Sequence, residues 1–331
     1  MRILLTGGAG YIGSVTCEIL LARGHRVCVV DDLSRGHEAA VPAGADLQVV
    51  SMLDGPRIRA LLQREQPQGV LHFAASSLVG ESMRDPGLYF SNNVTGLVNL
   101  LEACVQADCR LILLSSSAAT YGDPASIPIP EEAPTVPTNP YGESKRIGEQ
   151  ILEWYRRIHG VRFGSLRYFN AAGASEERGE DHDPETHLIP LVLRAALGLG
   201  PSLSVFGTDY PTPDGTCIRD YIHVLDLAEA HVLALEKLGE TDRLILNLGN
   251  GSGFSVLEVV RSVERVTGLP VPWEAAPRRA GDPPRLVASS VRARETLGWV
   301  PRYASLDAIV ETAYRWMKRH PSGYGRTSCS G

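Results

Sequence analysis

Residues 2–13, Arg-Ile-Leu-Leu-Thr-Gly-Gly-Ala-Gly-Tyr-Ile-Gly, decide the fold of this chain. Arg2 to Thr6 reads as a buried strand that runs straight into Gly7, Gly10 and Gly13 and then an apolar helix, Ser14 to Arg23. Glycines let the backbone turn sharply and approach a pyrophosphate, whose charge then rests on the free N–H groups at the helix start, where Tyr11 and Ile12 lie. Val27 to Val30 follows as a second apolar strand and ends in Asp31 and Asp32. A carboxylate at that strand end accepts hydrogen bonds from an adenosine ribose and repels a 2′-phosphate, so NAD is expected rather than NADP. A glycine turn alone is commonly just a flexible loop. Strand, helix, second strand and acid in register read as a dinucleotide cradle.

Further strands and helices alternate outward from the cradle as a doubly wound parallel sheet requires. Leu47 to Val50, Gly69 to Phe73, Arg110 to Ser115 and Arg162 to Arg167 read as strands. Asn92 to Val105 and Tyr141 to His159 carry apolar residues at helical spacing. Between the fifth strand and the Tyr141 helix runs a loop with prolines at 124, 128, 130, 134, 137 and 140, and Pro140 suits the first turn of that helix. Beyond Asn170 the pattern changes to glycine, proline and charge, as expected of a second, smaller domain closing over the first.

Composition excludes several classes. The 331 residues are 44% apolar and 21% charged, ordinary for a globular chain. A net charge of −6 argues against a nucleic-acid surface, which needs clustered Lys and Arg. No apolar run is long enough to span a membrane, and Met1 leads directly into the first strand without room for a signal peptide, so a cytoplasmic location is expected. The cysteines at 17, 28, 104, 109, 217 and 329 form no C-x-x-C pair and read as reduced, structural thiols. The histidines form no H-x-x-x-H pair, and no metal is expected.

Chemistry enters with Tyr141-Gly-Glu-Ser-Lys145. Tyr141 and Lys145 stand one above the other on a helix face, where a cation beside the phenol favours the phenolate. Such a tyrosine can take a proton from a sugar or alcohol hydroxyl. Two fixed residues recur by accident, but Ser115-Ser-Ser117 ends the fifth strand, where ligands bind in open sheets of this kind. Ser117 is placed to bond the reacting oxygen or relay its proton.

The glycine cradle, Asp31, the serines and the Tyr141/Lys145 pair together resemble the extended short-chain dehydrogenase/reductase superfamily. Longer segments are more specific: Phe73 to Ser82, Tyr168 to Gly173, His187 to Pro190, Asp214 to Val224 and Arg278 to Asp282 look like those of the UDP-glucose 4-epimerase family, from residue 1 to about Pro321. Only Thr327 to Gly331 looks unrelated, a frayed tail. The resemblance implies a Rossmann-type NAD-binding domain of residues 1–170 with about 222–248, and a UDP-sugar-binding domain, mixed α/β, of residues 171–221 and 249–331. It implies Arg219 and Arg279 on the substrate's diphosphate, Asp282 on the uridine ribose, and Asn170, His187 and Leu188 on the diphosphate side. Phe206 and Tyr221 lie in segments lining the nucleotide pocket. Phe73, Ala74, Asn92, Ser115, Tyr168 and Lys145 would contact the cofactor, Lys145 at the nicotinamide ribose.

The implied reaction interconverts UDP-glucose and UDP-galactose. Tyr141, with Ser117 bridging, removes the 4-hydroxyl proton as hydride passes to NAD, and the resulting 4-ketose turns over and takes the hydride back. That chemistry needs a firm grip on UDP and a loose grip on the hexose. A 4,6-dehydratase needs an Asp-Glu pair after the strand-end hydroxyl; here those positions are Ala118 and Ala119. Epimerases of UDP-N-acetylglucosamine or UDP-glucuronate remain alternatives, as does a non-catalytic NAD-binding regulator. Met52 stands at or next to the place of an acid that bonds the adenine amino group in relatives, so one cofactor contact fewer is expected. Leu286 matches a position beside the hexose and is shorter than the tyrosine that excludes N-acetylated sugars. A homodimer through the Asn92–Val105 and Tyr141–His159 helices is also implied.

Overall fold

The computed structural model describes residues 1–279 and 282–325. Thr327 to Gly331, expected as a frayed tail, and Cys329 lie outside the described residues.

Seven strands form one sheet in the order Arg243–Leu248, Arg162–Tyr168, Leu111–Ser117, Gly69–His72, Arg2–Thr6, Arg26–Asp31, Asp46–Val49, and every neighbouring pair is parallel. Each central strand reads as an unbroken apolar run because both faces are covered, and the alternation of side chains sorts that run into two cores. Ile3, Leu5, Val29, Leu71 and Leu113 face one side, where Cys17 and Leu20 of the Tyr11–Ala22 helix meet Leu227 and Leu235 of the Val224–Lys237 helix. Leu4, Val30, Val70, Ile112 and Leu114 face the other, against Ile58, Leu62, Leu97, Leu101 and Leu152. Burying each such side chain contributes roughly 1.5–3 kcal/mol, so a one-residue slip of any central strand would forfeit several of them at once.

Six of the seven strands fall where the sequence placed them, to within a residue or two. The seventh, Arg243–Leu248, was not singled out, although its span was assigned with the large sheet. It pairs with Arg162–Tyr168 across a long excursion in sequence, so order along the chain gives no guide to its partner. The Asn92–Val105 helix is also different: Phe90–Thr95 winds as a π-helical turn before a regular α-helix, Gly96–Gln106. The wider turn inserts a residue into the helical register, and Asn93 is turned inward as a result.

Apart from Arg243–Leu248, the strands from Asn170 onward build smaller sheets. Asn170–Ala172 pairs with Tyr221–His223, Ile218–Arg219 lies between Phe254–Ser255 and Arg285–Leu286, and Leu203–Phe206 pairs with Trp273–Ala276. The Leu188–Ala196, Val256–Thr267 and Leu306–Arg319 helices share a third core around Val192, Val259, Val263 and Ile309. The five described cysteines are buried and unpaired. Among the described residues no helix is long and apolar enough to cross a membrane.

Candidate active site

Asn139 caps the Pro140–His159 helix by accepting from the Gly142 N–H at 2.8 Å, and Pro140 occupies the first turn, where no donor is needed. Gly142 packs so close to the end of the Leu111–Ser117 strand that a Cβ there would stand 2.3 Å from the Ala119 carbonyl oxygen. Only glycine allows that approach, and it delivers the next-door phenol to the strand end. Tyr141 is hydrogen-bonded to Ser117. One turn on, the buried Lys145 ammonium lies 5.9 Å from the centre of the Tyr141 ring and donates to the Ser115 carbonyl at 2.8 Å. The expected pair and its serine partner are therefore in one place.

Their electrostatics differ from the sequence argument. Burial raises the Tyr141 phenol, with the Ser117 hydrogen bond opposing. Burial also lowers Lys145 to about 8, against the opposite pull of the Glu149 carboxylate. The ammonium stands over the ring and bonds a carbonyl, so in the protein alone desolvation outweighs it and the phenol keeps its proton.

Beneath this pair lies a network that sequence reasoning missed. Glu149, 8% exposed, accepts from Ser116 and Ser165, each at 2.7 Å, and is paired with the Arg167 guanidinium at 2.5 Å. Arg167 also donates to the Tyr121 hydroxyl at 2.9 Å. These bonds tie the helix one turn below Lys145 to two neighbouring strands. Asn93 likewise bonds Ser144 at 2.9 Å and the Ser76 backbone, while Asn92 reaches the Ser76 hydroxyl at 3.2 Å. The sequence signal for Glu149 was its place four residues after Lys145 on a buried helix face.

The cradle fits a dinucleotide. Gly7 holds φ at +73°, and a Cβ on it would meet the Ala74 nitrogen at 2.5 Å, so the turn and the Phe73–Ala74 segment interlock only around glycine. Gly10 precedes the Tyr11–Ala22 helix with no side chain capping it, leaving first-turn N–H groups for an anion. Asp31 accepts from the Ala9 and Leu33 N–H groups at 3.0 and 2.9 Å and keeps lone pairs for further donors. Asp32 is exposed and holds the Ser34 N–H at 3.0 Å. Tyr11 is brought near only through its backbone: its hydroxyl donates to the Gly173 carbonyl at 2.6 Å and is buried. Tyr168 bonds the Ser115 hydroxyl. Met52 is 5% exposed and belongs to the core with Val30, Val50 and Leu97.

The residues expected on the substrate side fall in the smaller sheets and the loops between them. Arg219 pairs with Asp282 at 2.9 Å, and the Arg279 guanidinium lies 4.2 Å from the centre of the Phe206 ring. Leu286 is paired in register with Arg219 and packs with Ala118 and Tyr121, just past Ser117. Asn170 donates to the Asp220 carbonyl at 2.9 Å. The Asp220 carboxylate, also missed, accepts from the N–H groups of Asn250, Gly251 and Ala288 and knits three segments together. Tyr221 is buried in the third core. His187 and Leu188 begin the Leu188–Ala196 helix, whose start has no side-chain cap.

The chain belongs to the NAD dependent epimerase/dehydratase family, the class whose description matches residues 3–249. Within that class its likeness is to UDP-glucose 4-epimerases. The one from Halalkalibacterium halodurans is 50% identical over 327 residues, 98% of each chain. The crystal structure of the Brucella ovis UDP-glucose 4-epimerase in complex with NAD is 49% identical with a TM-score of 0.92, covering 95% of this chain and 97% of that one. The Bifidobacterium longum enzyme, in complex with NAD+ and UDP, is 35% identical with a TM-score of 0.93, covering 98% and 100%.

Proposed function

We infer that this chain is an NAD-dependent UDP-glucose 4-epimerase, an isomerase interconverting UDP-glucose and UDP-galactose through a 4-keto sugar. The observation that carries this reading is the Tyr141 phenol bonded to Ser117 at the strand end with the Lys145 ammonium beneath it. NAD, when bound, supplies a carbon acceptor and donor of hydride and a positive charge on its nicotinamide ring. Gly7, Gly10, Gly13 and the first turn at Tyr11 and Ile12 would hold its pyrophosphate. Asp31 and Asp32 would hold its adenosine ribose, and Phe73, Ala74, Asn92, Ser115, Tyr168 and Lys145 its remaining length. Tyr141 acts as the base: added positive charge offsets the burial that raises its phenol, and the phenolate takes the 4-hydroxyl proton, with Ser117 steadying the oxygen. On the return Tyr141 gives the proton back to the 4-oxygen, while the hydride goes to the opposite face of the same carbon.

Arg219, Arg279 and Asp282 provide the grip on UDP, with Asn170, His187 and Leu188 beside the diphosphate and Phe206 and Tyr221 along the nucleotide. Planar guanidinium groups suit paired phosphate oxygens. Leu286, next to Ala118, borders the hexose without bonding it, which leaves the ketose free to turn. This division corresponds to two units, residues 1–170 with 222–248 and residues 171–221 with 249–331; the first two cores and the third support it, although Ala293 and Trp299 pack into the first core. The enzyme works in the cytoplasm as a homodimer, and the exposed Trp154 and Ile158 on the Pro140–His159 helix support an interface there. Turnover of UDP-galactose followed by a coupled UDP-glucose dehydrogenase tests the reading, and no product would reject it.

A further inference from the structure

The segment Glu180-Asp-His182-Asp-Pro-Glu185-Thr-His187 gathers two carboxylates and two imidazoles around one point. Glu180 Oε1 lies 2.5 Å from His187 Nδ1 and 3.1 Å from His182 Nδ1. Glu185 oxygens lie 3.6 Å from His187 Nδ1 and 3.9 Å from His182 Nδ1. One donor atom from each residue falls within 4.8 Å of all the others. A tetrahedron with bonds of ~2.0–2.1 Å, the zinc values for nitrogen and carboxylate oxygen, has edges of about 3.3 Å; the two Glu180 contacts are shorter than that, and the two Glu185 contacts, one from each of its oxygens, are longer.

We propose that Glu180, His182, Glu185 and His187 bind a divalent zinc ion that fixes this segment. Paired imidazoles and carboxylates in four-coordination suit zinc better than magnesium or calcium, which take oxygen ligands in larger number. Two carboxylates balance the ion's charge with both imidazoles neutral. A metal-free alternative has protonated histidines pairing with the glutamates. An imidazolium would aim its N–H along the short vector to Glu180, yet His187 Nδ1 is buried and makes no hydrogen bond in spite of its 2.5 Å neighbour. Lone pairs of both atoms pointing at a common centre, and not at each other, account for that. The Glu180 and Glu185 side chains are 6% and 5% exposed; Glu185 Oε1 accepts from the Thr186 and His187 backbone N–H groups at 2.8 and 2.9 Å, and Glu180 Oε1 lies 3.1 Å from His182 Nδ1.

No metal was expected from the sequence because these residues follow E-x-H-x-x-E-x-H spacing on a loop, without the helical H-x-x-x-H pair. The loop is a structural crossing point. Arg35 donates to the Asp183 carbonyl at 2.8 Å, His37 lies 2.8 Å from the Asp181 carbonyl, and the His182 ring packs edge-on against Tyr11 of the cradle helix. Its far end enters the Leu188–Ala196 helix. A zinc ion there holds the segment in the shape in which it meets Arg35, His37 and Tyr11. It also leaves the His187 proton on Nε2, which on the substrate assignment above makes that nitrogen a permanent donor.

Metal analysis of the purified full chain after equilibration with zinc and removal of free ion tests the site without reference to turnover. About one zinc per chain is expected, with His182→Ala and Glu185→Gln each weakening affinity roughly tenfold or more. Cobalt(II) in place of zinc should give the intense visible absorption of tetrahedral coordination in wild type only. Adding zinc to chelator-treated protein should raise its melting temperature, and His182→Ala should lose that response. Wild type that retains no zinc, or both variants retaining as much as wild type, would overturn the proposal. His182 is half-buried, so its variant serves even if Glu180→Gln does not fold.

Discussion

The strand end that carries Ser117 and the cleft edge that carries Arg279 are built on different principles. At the strand end every polar group is held by regular structure: Lys145 by a strand carbonyl, and Glu149 by two serines and an arginine from adjacent strands. Across the cleft, Arg219 is held by Asp282 and Arg279 by an aromatic face, on two-residue strands and loops. The groups proposed for proton transfer, which tolerates little misplacement, stand on a helix and a strand braced by these buried bonds. The two arginines proposed for the diphosphate also differ in exposure: the Arg219 side chain is 13% exposed, whereas Arg279 is exposed.

The sharpest way to break the strand-end region is Tyr141→Phe. It should cut kcat by about 10²–10⁴-fold while NAD stays bound, measured by steady-state assay and retained cofactor absorbance. Near-normal turnover would remove Tyr141 as the base. Next, Glu149→Ala leaves Arg167 buried without its partner and should cost roughly 3–5 kcal/mol of stability in denaturant unfolding. A loss below about 1 kcal/mol would mean that the network is solvated and not rigid.

On the other side of the comparison, Arg219→Met should raise KM for the UDP-sugar about 10–150-fold, the worth of ~1.5–3 kcal/mol in charge-assisted hydrogen bonds, with kcat much less changed. If kcat falls as far as kcat/KM, the two regions are not separable. Lys145→Met should slow the enzyme and move the acidic limb of its pH profile upward. The sign follows from charge: a cation favours phenolate, so its loss raises the phenol further above the level to which burial already lifts it. An unchanged limb would assign the activation to another group. The smallest effect is expected at Leu286. The wild type should use UDP-galactose best and UDP-N-acetylgalactosamine measurably, and Leu286→Tyr should lower the acetylated-sugar rate by ~1–3 kcal/mol in kcat/KM. Equal rates in the variant would show that Leu286 does not border the 2-position.

Periodicity and local chemistry in the sequence were enough for six strands, the glycine cradle, Asp31, and the capped helix that carries Tyr141 and Lys145. Those features are local: a strand, its turn and the following helix are contiguous, and i to i+4 spacing on a helix is itself a distance. Other features needed the tertiary structure because their partners are remote in sequence. Arg243–Leu248 joins the sheet only by pairing with a strand from the other side of a long excursion. Glu149 is a catalytic-helix residue whose meaning depends on Arg167, and Asp220 matters through Asn250, Gly251 and Ala288. Desolvation was equally out of reach: the sequence supplied a cation beside a phenol, and only three-dimensional burial decided that the phenol rises and the lysine falls to about 8. Spacing along a chain encodes local geometry, while dielectric environment and long-range partnership belong to the packed molecule.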